Sequence, residues 1–110
     1  MAIANIAVAT TDSTILTVPS SKSYAITTIL VCNTGTDDGT GINDTSFDMH
    51  VIPGGDSKGS TNLVLNDVNV AAADTFVFAT ERLILSDGDK VVFVGQAPAN
   101  LSATISYLEV

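Results

Sequence analysis

Short runs of alternating apolar residues, each cut off by Gly, Pro, Asn, Asp or Ser, fill this chain and leave no window of helical period. Turn signals return about every eight to twelve positions, the spacing of an all-β sandwich or barrel. The clearest run is Glu81-Arg-Leu-Ile-Leu-Ser-Asp-Gly-Asp-Lys-Val-Val-Phe-Val94. Leu83 and Leu85 alternate before Asp87-Gly88-Asp89, and Val91 and Phe93 alternate after it. Gly88 has no Cβ to oppose the positive φ of a tight turn. The segment predicts a hairpin. A two-residue turn would pair Ile84 with Val91 and set Leu85 opposite Lys90. A wider turn pairs Leu85 with Val91 and puts both leucines on the Val91/Phe93 face, and is the better fit.

The rest of the chain reads the same way. Strands are expected at Ile3 to Ala9, Ser13 to Val18, Ser23 to Asn33, Ser46 to Ile52, Asn62 to Asn66, Asp74 to Thr80 and Leu101 to Leu108. Val68 and Val70 prolong the fifth run, and the nearest helical candidate, Val68 to Thr75 with its three alanines, is short and flanked by β-branched residues. In the third strand Tyr24, Ile26, Thr28, Leu30 and Cys32 should share one face, and Ala25, Thr27, Ile29 and Val31 the other. Both faces turn apolar toward its end, as in a central strand covered on both sides. In the fourth, Phe47, Met49 and Val51 should point inward and Asp48, His50 and Ile52 outward. Pro98 marks the last turn. The expectation is one domain over residues 1–110, a single antiparallel β-sandwich of eight or nine strands, with sheets about 10 Å apart. Immunoglobulin-like and jelly-roll orders both fit the pattern.

Composition narrows the partners. Twelve acids against four bases give a net charge of −8. Nucleic-acid binding rests on clustered cations that displace phosphate counterions, so four scattered bases argue against it. The densest apolar run, Ile29-Leu-Val-Cys32, falls far short of the roughly 20 residues of a membrane helix. The first residues carry no basic segment of the kind that opens a secretory signal. Neither a membrane span nor a targeting segment is expected. Cys32 is the only cysteine. It sits in an alternating strand, where a free thiol behaves as a small buried hydrophobe.

Candidate chemistry is sparse. The loop Thr34 to Thr45 holds Asp37, Asp38, Asn43 and Asp44, oxygen donors of the kind Ca²⁺ accepts. No EF-hand spacing accompanies them, and a solvated loop is the expectation. Asp87 and Asp89 flank a turn glycine, where Asp is favoured for its local backbone hydrogen bonds. Asp48 and His50 share a strand face and could form an acid/base pair, but catalysis also needs a nucleophile or pocket set against them. The Gly-rich segments lack the Lys-Ser/Thr of a phosphate loop. Asn43-Asp-Thr45 and Asn100-Leu-Ser102 match the short glycosylation pattern, which arises often by chance. The reading is therefore a non-enzyme with no catalytic residues, no cofactor and no metal.

Three segments carry a resemblance: Leu30-Val-Cys-Asn-Thr34, His50-Val-Ile-Pro-Gly-Gly-Asp-Ser-Lys-Gly-Ser-Thr-Asn-Leu-Val64, and Glu81-Arg-Leu-Ile-Leu-Ser-Asp-Gly-Asp-Lys-Val91 with the closing Ser102-Ala-Thr-Ile-Ser-Tyr107. In order and spacing they resemble small β-sandwich virion structural proteins of tailed phages, especially marine and cyanobacterial ones. The resemblance implies attachment to the outside of the particle. The first expectation is a capsid decoration (cement) protein, a homotrimer bound to the major capsid protein and reinforcing the shell. A tail, neck or fibre subunit is the alternative. A carbohydrate-binding module is a third, against which stand the absence of Trp and the placement of Tyr24 and Tyr107, expected to cap the core. The chain departs from the family pattern in its longer Asp/Gly loop at Thr34 to Thr45. Contacts are expected through that loop and through Pro53 to Ser60.

Overall fold

The computed structural model describes residues 2–79 and 83–110. Among the described residues nine strands form two antiparallel sheets: β1 (Ala2–Val8), β2 (Ser13–Thr17), β3 (Tyr24–Asn33), β4 (Thr45–Ile52), β5 (Leu63–Val70), β6 (Thr75–Phe78), β7 (Leu83–Leu85), β8 (Lys90–Gly95) and β9 (Leu101–Glu109). One short 3-10 turn, Ser60–Asn62, precedes β5. The first sheet runs β1-β9-β3-β6, with β7 beside the other half of β3, and the second runs β2-β8-β4-β5. With β6 and β7 sharing one lane, each sheet has four lanes. Their order is that of a jelly roll, two interlocked Greek keys, which decides between the two orders left open by the pattern.

This order corrects the hairpin. Leu83–Leu85 pairs with β3, Leu85 lying opposite Tyr24, while Val91 pairs with Leu16 of β2 and Val51 of β4. Neither expected register exists, because the two segments belong to different sheets. The turn itself is present: Gly88 has φ +81°, and the Asp89 amide donates to the Ser86 carbonyl. It carries the chain across the sandwich. The inward faces are those expected: Leu85, Val91 and Phe93 are all buried in one core, with Leu83 packed against it. Glu81, Arg82 and Thr80 lie outside the described residues.

β3 corrects a second expectation. Its register against β9 shifts between Ile26 and Thr28. A bulge of this kind reverses which side chains face the core, so Ile26 precedes it and Ile29 and Val31 follow it in the same core. The displaced Thr27 bonds through Oγ1 to Ser106, 3.1 Å from its carbonyl oxygen and 2.6 Å from its hydroxyl. β3 is interior to its sheet, but its outward residues Leu30 and Cys32 are only half-buried. Cys32 therefore sits outside the core that was expected to hold it. The Val68 to Thr75 candidate is strand to Val70, followed by a turn with Ala73 at φ 64°.

Phe47 and Phe93 meet at 5.8 Å between ring centroids, and Phe76 meets Phe47 edge-on at 5.7 Å. Tyr24 and Tyr107 pack together at 4.7 Å and cap one side of the core as expected. No described helix is long and apolar enough to cross a membrane.

Candidate functional site

Antiparallel connections alternate between the two ends of the sandwich. The loops at 9–12, 34–44, 71–74 and 96–100 share one end, and those at 18–23, 53–62 and 86–89 share the other. The two loops expected to make contacts thus start from opposite ends.

The first end is held by Asn33, 1% exposed at the last inward position of β3. Its Nδ2 donates to the carbonyls of Asn43 (2.8 Å) and Val70 (2.9 Å), and its Oδ1 accepts from the Gly35 amide (2.8 Å). Asn100 Nδ2 also donates to the Asn43 carbonyl. An ideal Cβ on Gly35 would lie 2.5 Å from Asn100 Nδ2 and 2.9 Å from Asn43 Cβ, so any side chain here would push the clamp apart. Thr45 Oγ1 donates to the Gln96 carbonyl, beside the cis Ala97–Pro98 bond. A strand-ending Asn looks like ordinary punctuation in the sequence, and only the fold shows that it clamps three segments.

The acidic residues of this loop accept from its own backbone or from that of the neighbouring 71–74 loop. Asp37 Oδ1 accepts from the Gly39 amide at 3.0 Å. Asp38 Oδ1 accepts from the Thr40 hydroxyl (2.6 Å) and amide (3.0 Å). The Thr40 hydroxyl, followed by its amide, holds the Asp38 carboxyl below its ordinary pKa of 3.8. Asp44 Oδ1 accepts from the Ala72 amide at 2.9 Å, and Asn43 Nδ2 donates to the Thr36 carbonyl. Among the described residues no three His, Cys, Asp or Glu side chains gather to hold a metal ion. Asp87 and Asp89 are turn residues too: Asp89 accepts from the amides of Gly54 and Ser86, both at 2.8 Å.

His50 corrects a third expectation. It lies on the outer face of the second sheet, as alternation requires, yet it is 7% exposed, and Ile52 on the same face is 1% exposed. Residues 53–62 are tied down onto this face. Asn62 Oδ1 accepts from the Gly59 amide and its Nδ2 donates to the Ser57 carbonyl, which sets the amide's orientation. His50 Nδ1, 2.8 Å from Oδ1, must then be the donor. Lys58 reaches across to Asp12 at the far edge of the sheet. Asp48 is not aimed at His50's chemistry; its Oδ1 accepts from the Asp67 amide at 2.7 Å. The two residues share a face, but Asp48 accepts from a backbone amide of β5 while His50 donates to the Asn62 side chain.

The outer face of the first sheet is different. Ile3, Val77 and Ile84 are 69%, 57% and 62% exposed there. The outward positions of β1 and β9 are Ile3, Asn5, Ala7, Ser102, Thr104, Ser106 and Leu108, with a shallow depression between Asn5, Ala7, Ser102 and Thr104. No outward side chain of β1, β3, β6, β7 or β9 on this face is charged; Glu109, at the end of β9 on the side of Tyr107, pairs with Lys22 at 3.1 Å. Alternation alone lists these residues, but their exposure depends on no loop crossing them.

No family model, curated protein or solved structure matches the chain.

Proposed function

We propose that the protein is a virion structural protein of a tailed phage, a capsid decoration subunit that binds the outside of the major capsid shell, with copies of itself, and reinforces it. The resemblance across three segments motivates the reading. The jelly-roll order is the structural observation that supports it most, because this architecture builds viral capsid domains. It also builds lectins, and fold alone does not assign function. The aromatic side chains favour assembly over sugar binding. Phe47 and Phe93 are core, while Phe76, Phe78, Tyr24 and Tyr107 pack against it, so none forms an exposed platform. A net charge of −8 suits a subunit outside a particle filled with nucleic acid. A firmly clamped loop end, such as that around Asn33, offers a preformed contact surface with little ordering cost on binding.

Quantitative mass spectrometry of purified particles tests the proposal. A decoration protein approaches the copy number of the major capsid protein. A few dozen copies per particle would instead favour the tail, neck or fibre reading, and absence from particles would overturn both.

A further inference from the structure

Each four-lane sheet has two edges, and an edge strand left bare is a template for another strand. Three of the four edges carry protection. β2 has a register break between Thr14 and Leu16. β5 has two irregularities against β4, with Asp67 at φ 52° and charged. The β6/β7 edge is split into strands of four and three residues. β1 has none of these devices. Its seven residues pair with β9 in unbroken register, and it contains no charge, proline or glycine. Among the described residues, none of its backbone groups bonds to anything but β9.

We propose that β1 is the pairing strand of a two-fold dimer. β1 of a second copy adds antiparallel, centred on Asn5, and joins the two first sheets into one continuous sheet. The chain itself supplies the best-matched partner. An added strand must be extended, regular and uncharged along its length, and have a free edge of its own, and β1 meets each requirement. Antiparallel self-pairing closes after two copies and leaves no bare β1 edge, because the joined sheet ends on the split β6/β7 edge of each copy. Charge agrees with this choice. In a chain of net charge −8, copies approach with least repulsion through a segment that carries no acid. The nearest acid in the sequence, Asp12, is engaged by Lys58. One strand pair buries less than a standard interface, so the contact is weak in free solution and gains strength when copies are held on a common lattice.

The inference stands on the edge geometry and holds whether or not the protein decorates a capsid. It gives a dimer where the resemblance implies a trimer. Sedimentation across a concentration series tests it, with three variants checked by circular dichroism for an unchanged fold. The expected result is a reversible dimer. Asn5→Lys should weaken it by about tenfold or more, roughly 1.4 kcal/mol, and Asp67→Lys should leave it unchanged. In a Cys32→Ser background, Asn5→Cys should cross-link into disulfide dimers when oxidised glutathione is added to accept the two electrons. A strictly monomeric protein at the highest soluble concentration, a trimer, or a dimer broken by Asp67→Lys rather than Asn5→Lys would overturn the proposal. Copy number in particles is a separate measurement, so failure here and failure of the decoration reading are told apart.

Discussion

The two outer faces of this sandwich have been treated in opposite ways. The middle of the second sheet's outer face is covered by the chain itself: residues 53–62 are held to it through Asn62 and His50, and Ile52 is sealed, while Val64 on the β5 edge of that sheet stays 45% exposed. The face of the first sheet stays open, uncharged and partly apolar, with Ile3, Val77 and Ile84 in solvent. Both faces come from strands of the same alternating pattern. The difference lies in what crosses them. Where a loop supplies cover, a buried polar group such as His50 must find a partner within that loop. Where none does, hydroxyls and small apolar residues suffice, and the surface is left for association.

Single substitutions can break or sharpen this contrast, and chemical denaturation checks the stability effects. The largest effect should come from Ile52→Ala, a full deletion beneath the cover, costing about 2–5 kcal/mol. A cost near zero would mean that this face is as open as the other. Asn62→Ala comes next. It strips the partners of His50, Gly59 and Ser57 together and should cost about 1–3 kcal/mol. Hydrogen exchange should speed up selectively at residues 57–62, and protection left unchanged there would show that Asn62 is not what holds the loop. Lys58→Ala removes only a largely exposed ion pair and should cost at most about 1 kcal/mol, with the difference fading in high salt. Val77→Ala on the open face should stay within about 0.5 kcal/mol of the parent. A larger loss in the monomer would show that Val77 is covered after all.

Much of the architecture is legible in the residues. The alternation of Phe47 with Met49, of Phe76 with Phe78, and of Val91 with Phe93 names core positions, because a strand's side chains take turns on its two faces. Turn chemistry at Asp87-Gly88-Asp89 and Pro98 places the bends. Illegible were the partners. Leu85 and Val91 face one core from different sheets, and the pattern is the same as for a hairpin. The Thr27 bulge has no local signature, since Thr, Ile and Val continue on both sides of it.

The same division holds for the surfaces. Local periodicity and composition are enough to make the chain all-β, to set which residues point inward along most strands and to leave β1 without charge. That β1 is a bare edge, that Asn33 clamps one end, and that His50 is buried while Ile84 is not follow from strand order and from which loops cross which face. Edge, clamp and cover are relations between segments far apart in the chain. Alternation specifies a side chain's direction, and strand order specifies what it meets.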